Sequence, residues 1–267
     1  MEEKDIKNII KAAHAGGKVL RRYFGKAVNS TEKSAPADLQ TKADVESEKS
    51  ILKILRKGFP KYNIHSEEIG KINKNSAYTF IIDPMDGTNN FVMGMPNFSV
   101  SIGLLKNNKA VVGVIYQPIL DQTYHALVGQ GAFLNNKKIK VNNVLEPKDI
   151  TVAYVCGYEQ KMGSDYVAKS MSKLINAKHK RVSWNWSVAC DLCMLANGKI
   201  ESVINDDTEI HDYAAGKLIA QEAGAKVIDF SGKKETDYTN SKFIISNTNK
   251  TNKYFFEIIK PLQKKLK

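Results

Sequence analysis

Residues 4–24 place apolar side chains at helical spacing (Ile6, Ile9, Ile10, Ala13, Val19, Leu20, Phe24) between charged ones, and Gly25 stands where such a helix would stop. The pattern predicts an amphipathic helix with one buried face. A polar stretch, NSTEKSAPADLQTKAD, follows. A second helical pattern runs from about Val45 to Lys57 and ends at Gly58 and Pro60. The period then changes. TFIIDP (79–84), FSVSIGLL (98–105), KAVVGVIYQP (109–118) and QTYHALV (122–128) predict successive strands joined by short turns, with a hairpin at Asn135-Asn136. Beyond Pro147 the two periods alternate. Strands are expected at 151–155, 179–184, 200–204, 226–229 and 242–246, and helices at 164–177, 188–197, 212–223 and 251–262. No internal repeat or low-complexity linker interrupts the chain. The expected organisation is two lobes of sheets packed on helices, 1–147 and 148–267.

Composition narrows the class. The 267 residues are 42% hydrophobic and 25% charged, which is ordinary for a globular protein with a real core. The longest apolar run, AVVGVIY (110–116), is far short of the ~20 residues of a membrane helix. The opening MEEKDIKN has no secretory pattern, so a cytoplasmic protein with no membrane partner is expected. A net charge of +12 suits an acidic substrate or a nucleic acid. The lysines are scattered, however, with small clusters such as Lys137–Lys138 and Lys264–Lys265, and no aromatic-basic nucleic-acid motif accompanies them. Three cysteines argue against a disulfide framework. Cys190 and Cys193 fall on the helical period of Val188, Ala189, Leu192 and Ala196, which predicts core packing rather than a zinc or redox site.

The candidate chemistry lies in IIDPMDGTNNF (81–91). A strand ending in D-P-x-D sets Asp83 and Asp86 close together, and two such carboxylates repel unless something positive lies between them. Hard divalent cations bind carboxylate and carbonyl oxygens. Gly87-Thr88 then opens a helix, whose free N–H groups attract an anion such as phosphate. Asp, Pro, Gly and Thr are also ordinary turn and cap residues. The turn reading weakens because acids recur at two further strand-to-loop junctions: His65-Ser66-Glu67-Glu68 after YNI, and Asp212 after Ile210-His211.

DPMDGTNNF, continued by PNFSVSIGL, resembles the first signature of the inositol monophosphatase family, and HDYAAGKLIAQEAGA resembles its second. K-S-x-P-x-D-L (33–39), T-x-x-D (41–44) and the Glu67-Glu68 pair occur in the family's order, so the resemblance covers nearly the whole chain. It implies an α+β fold layered α-β-α-β-α, a homodimer, and Mg²⁺-dependent hydrolysis of a small phosphate monoester with two or three ions per site. Carried over, Glu67, Asp83 and the Met85 carbonyl would hold one metal, and Asp83, Asp86 and Asp212 a second. Gly87 and Thr88 would take the phosphate, Asp44 would pair with the Thr88 hydroxyl beside the attacking water, and Lys33 would help close the site. His211 stands where the family commonly has tryptophan, and is expected, like His65, to pack beside ligands rather than to be one.

The resemblance breaks down in the second lobe. Many relatives carry Arg-x-x-Gly-Ser/Thr-Ala before the 188–197 helix, where this chain has Trp184-Asn185-Trp186-Ser187. The acid that contacts sugar hydroxyls in inositol phosphatases corresponds to Asn205. Trp184, Trp186 and Asn205 are therefore the candidate specificity residues. Inositol 1-phosphate leads as substrate, with 3′-phosphoadenosine 5′-phosphate, fructose 1,6-bisphosphate and histidinol phosphate as alternatives. Some bacterial members, the extragenic suppressor proteins, act on RNA or transcription complexes, which makes nucleic acid a second candidate partner.

Overall fold

The computed structural model describes residues 3–26, 29–35, 38–157 and 163–263. Helices and sheets alternate in five layers. Helices Glu3–Tyr23 and Lys42–Gly58 cover one face of an eight-stranded sheet. Helices Val188–Ala196 and Ile210–Glu222 cover its other face and lie between it and a five-stranded sheet. Gly163–Asn176 and Asn249–Gln263 close the far side. This is the α+β, α-β-α-β-α arrangement expected from the sequence. Successive strand residues point to opposite faces, and the layers follow from that. Phe80 and Ile82 join the core under the first helix pair while Ile81 joins the middle one. In the second sheet Val152 and Tyr154 face outward and Ala153 and Val155 inward. With both faces covered, the strands read as continuous apolar runs.

The eight-stranded sheet is antiparallel except where Asn63–Ser66 runs parallel to Tyr78–Asp86. That one parallel pairing matters, because it brings the ends of both strands, and the acids that follow them, to one edge. In the five-stranded sheet Arg181–Ser183, Thr151–Cys156 and Ser202–Asp206 are mutually parallel, so their carboxyl ends also share an edge. The two sheets divide in sequence between Ile139 and Thr151, yet the middle core draws on Ile81 and Ile115 from one side and Val203 and Phe243 from the other.

The middle layer sits close because small residues meet there. Gly103 and Gly113 face each other across strands, and a Cβ at Gly113 would lie 2.5 Å from the Ala215 carbonyl oxygen. The helix bearing Asp212 thus rests on bare backbone.

Several expected boundaries move. The strand continues through Pro84 to Asp86, with a bulge between Asp83 and Asp86 that absorbs the proline's missing N–H. The second helix begins at Lys42 rather than Val45, because Thr41 and Asp44 form a reciprocal capping box. Within the polar stretch, Ser30–Glu32 pairs with Leu39–Thr41. Asn135 and Asn136 take φ of 45° and 65°, the left-handed pair of a tight hairpin. Cys190 and Cys193 are free, buried core residues, and burial pushes the Cys190 thiol up to about 12. No helix among the described residues is long and apolar enough to cross a membrane.

Candidate active site

Where the parallel strands end, Glu67 N donates to Ile82 O (3.1 Å), which seats Glu67 beside the bulge. Inside the bulge Asp83 Oδ1 accepts from Met85 N (2.9 Å), and Ser47 Oγ donates to Pro84 O (2.9 Å). Asp86 turns toward the start of the Val188–Ala196 helix, where it accepts from Ser187 Oγ, Val188 N (3.2 Å) and Ala189 N (3.0 Å). A carboxylate at a helix N-terminus is favoured by the exposed N–H groups and the dipole. Asp212 comes from the first turn of the Ile210–Glu222 helix, its Oδ2 accepting from Glu209 N (2.9 Å).

These acids converge. Ligand atoms of Asp83, Asp86 and Asp212 lie within 4.8 Å of one another, and so do those of Glu67, Asp83 and His211. Burial raises Asp83 well above the usual carboxylate range, and Glu67, Asp86 and Asp212 raise it further. Burial and then Asp212 raise Asp86, against the donors around it. Asp212 is pushed up to about 6 by burial, with His211 opposing. Such a cluster needs positive charge. Among the described residues Lys33 supplies some, donating to Glu67 Oε1 (2.5 Å) and Glu68 Oε1 (3.3 Å) with Asp38 Oδ1 3.6 Å away. Burial would lower the Lys33 ammonium, but Glu67, Glu68 and Asp38 together hold it above its ordinary value.

Asp44 is fully buried beneath this cluster. Its Oδ2 accepts from Thr41 N (2.7 Å) and Thr41 Oγ1 (2.6 Å), and its Oδ1 lies 3.1 Å from Thr88 Oγ1. The same Thr88 hydroxyl is 3.0 Å from Met85 O. Burial pushes Asp44 up to about 7 despite the Thr41 donors. Gly87 precedes Thr88 at φ +95°, and a Cβ there would meet Asn97 O at 2.9 Å and Ser187 Cβ at 3.2 Å, so the position requires glycine.

Lys33, Glu67, Asp83, Met85, Asp86, Gly87, Thr88 and Asp212 all line one cavity of about 330 Å³. Its far wall carries Trp184 and Trp186, 43% and 45% exposed, with Cys156, Asp207, Thr208 and Glu209. Trp184 stands edge-on to Tyr154 at 6.5 Å. Trp186 has φ +50°, a left-handed conformation that is costly for a bulky side chain. The tryptophan loop is tied to the DGTNN segment: Asn185 O accepts from Asn90 Nδ2 (2.7 Å) and Asn97 Nδ2 (3.2 Å), while Asn185 Nδ2 donates to buried Asp191 Oδ1 (2.7 Å). Burial pushes Asp191 up to about 7, with the Asn185 donor opposing.

The structure does not bring Asn205 to the cavity. It is fully buried, its Nδ2 donating to Ser241 O (2.7 Å) and its Oδ1 accepting from Thr208 Oγ1 (2.9 Å), so it braces the wall from behind. Asp207 to Glu209, the loop after its strand, form the wall instead. His65 lies in a neighbouring cavity of about 470 Å³ with Lys71 and Thr239, whereas His211 faces the acids. Sequence reasoning also missed Ser187, whose only signal was its place before a helix, and Glu48. The buried Glu48 carboxylate accepts from Ser66 Oγ, Glu68 N (3.2 Å) and Ile69 N (3.2 Å), fixing the turn that presents Glu67.

The family described as the inositol monophosphatase family matches residues 1–264. The Nus factor SuhB of Haemophilus influenzae is 35% identical over 257 residues, 94% of each chain. The fructose-1,6-bisphosphatase/inositol-1-monophosphatase of Aquifex aeolicus is 34% identical over 80% of this chain and 81% of its own. The crystal structure of the extragenic suppressor protein suhB from Bartonella henselae superposes with a TM-score of 0.88 at 31% identity, covering 97% of this chain and 99% of that one.

Proposed function

The chain belongs to the inositol monophosphatase family and is a phosphatase, and from that premise we propose that it is a Mg²⁺-dependent phosphomonoesterase whose leading substrate is inositol 1-phosphate. The observation that carries the reading is the convergence of Asp83, Asp86 and Asp212, with Glu67, on a cavity that Gly87 and Thr88 also line. The donor set fits divalent cations: buried, mutually repelling carboxylates around one cavity. Asp83, Asp86 and Asp212 offer only oxygen, which suits Mg²⁺. Glu67, Asp83 and the Met85 carbonyl are assigned to one ion, and Asp83, Asp86 and Asp212 to a second. When bound, such ions supply an acidified water and positive charge for the phosphoryl oxygens.

The chain's own groups do the rest. The N–H groups of Gly87 and Thr88 receive the phosphate at the opening of the Thr88–Val92 turn. Thr88 Oγ1, fixed between Asp44 Oδ1 and Met85 O, would contact the attacking water. Asp44, poised near pH 7 by burial, takes up the proton through that hydroxyl. Lys33, Ser34 and Asp38 line the cavity, and Lys33 would help close it over bound substrate. Trp184 and Trp186 face the leaving group and set which alcohol fits.

Phosphate release, with and without Mg²⁺, tests the reading across inositol 1-phosphate, fructose 1,6-bisphosphate, 3′-phosphoadenosine 5′-phosphate and histidinol phosphate. Mg²⁺-dependent release with one substrate strongly preferred supports it and fixes the specificity. Metal binding without release from any of the four overturns the substrate assignment. The homodimer implied by the family resemblance belongs to the same proposal and is checked by the mass in solution. A second reading, contact with RNA in a transcription complex, has the Nus factor relative and the +12 charge behind it. It requires RNA affinity that falls steeply as salt rises.

A further inference from the structure

The two acid groups at the site are not alike. Asp83, Asp86 and Asp212 present oxygen alone, whereas the group that Glu67 and Asp83 form is completed by a ring nitrogen of His211 within 4.8 Å of their oxygens. His211 opens the helix that carries Asp212, and its backbone carbonyl lies 3.3 Å from Ser101 Oγ, so the residue is anchored to the sheet. Its side chain lines the cavity, with 13% of its surface exposed. Its Nε2 is 3.3 Å from Asp212 Oδ1, and its Nδ1 is buried without a hydrogen-bond partner. A buried ring nitrogen without a partner costs free energy that a bound cation would recover.

Resting on the metal-dependent reading above, we infer that His211 is a metal ligand. The Glu67–Asp83–His211 group is then a mixed oxygen–nitrogen site that selects a first-row transition ion such as Mn²⁺, Co²⁺ or Zn²⁺, beside an all-oxygen Mg²⁺ site sharing Asp83. Imidazole raises affinity for these ions along the Mn²⁺ to Zn²⁺ series, while Mg²⁺ gains little from nitrogen. Asp83, common to both groups, would serve both ions. His211 Nε2, 3.3 Å from Asp212 Oδ1, holds the imidazole against the neighbouring all-oxygen group. His65 takes no part, since it lines the adjacent cavity.

The test is metal binding rather than turnover. Pulsed EPR on the full-length protein loaded with one equivalent of Mn²⁺ should show coupling to a directly coordinated imidazole nitrogen. That coupling should vanish in His211→Asn and persist in His65→Asn. Calorimetric titration should show the preference for Co²⁺ over Mg²⁺ falling by at least about tenfold in His211→Asn. No nitrogen coupling in the wild type, together with reduced Mn²⁺ stoichiometry in Asp83→Asn, would overturn the histidine assignment and leave the phosphatase reading standing. Unchanged Mn²⁺ stoichiometry in Asp83→Asn would overturn both. The wild-type spectrum needs no substitution, so the inference stays testable even if a variant fails to fold.

Discussion

Asn90 donates its side-chain amide to the backbone carbonyl of Asn185 at 2.7 Å, across 95 residues of sequence. One end of that bond follows the acid motif and the other lies between the two tryptophans of the cavity wall. The phosphate end and the leaving-group end of the site are therefore held in one frame.

Substituting Asn185→Ala removes the donor to Asp191 Oδ1 and leaves a buried carboxyl group short of a partner. The expected loss of stability is about 1–3 kcal/mol. KM should rise more than kcat falls, because the wall loosens while the acids stay in place. Denaturant titration and steady-state kinetics on one preparation check both halves.

Trp186→Gly should change the ratio of activities between substrates more than the rate on any one of them. It also relieves a left-handed φ of +50°, a gain of ~1 kcal/mol that offsets the lost indole contacts. Identical substrate ratios in the variant would show that this indole does not take part in selection.

Asp83→Asn or Asp212→Asn should lower divalent-dependent turnover by roughly 100-fold or more. In EDTA each variant should melt at a higher temperature than the wild type, because a buried like charge is gone. Undiminished turnover in either variant would remove that residue from the metal set.

The pH dependence of stability has a definite sign. Asp212 is raised to about 6, and Asp44 and Asp191 to about 7, all chiefly by burial. Carboxyl groups in the unfolded chain titrate near ~3.9, so the folded state binds more protons above that value. The stability these groups contribute is fully present below about pH 4 and is lost as pH rises through 6 to 7. In EDTA the melting temperature should therefore fall between about pH 4 and 7, and added divalent cation should restore part of it. A flat profile in EDTA would contradict the burial of these acids.

Lys33→Met withdraws the amine that pairs with Glu67 and Glu68. Divalent affinity should rise roughly three- to fivefold, matching the ~1 kcal/mol of a partly exposed pair, while turnover falls. Calorimetry beside a phosphate-release assay separates the two effects.

The acid end of the site was legible because its residues cluster in short motifs at strand ends, where a proline or glycine marks the turn. Asp44 was legible only through the resemblance of T-x-x-D (41–44) to the family, and its place in the Thr41 cap emerged with the fold. The bond from Ser187 to Asp86 was not, since the two lie 101 residues apart and only the folded middle layer joins them. Asn205 was misplaced by counting back from Asp212, a count blind to the pleat that turns this residue inward between Val155 and Phe243. The Ser30–Glu32 and Leu39–Thr41 pair escaped notice because Ser30–Glu32 is exposed along its length, leaving no alternation to read. His211 was legible as a residue, but its proximity to Glu67 and Asp83 emerges only where a helix from the second half reaches the first sheet.

The contact between Gly113 and the Ala215 carbonyl bears on how such a site can change. Where two main chains touch, no rotamer remains to adjust, so the offset between the helix that carries Asp212 and the sheet that carries Asp83 is rigid and indifferent to most substitutions around it. The tryptophan wall, built from a half-exposed loop, is free to drift. New substrates can be acquired at that end of the cavity without retuning the acid end.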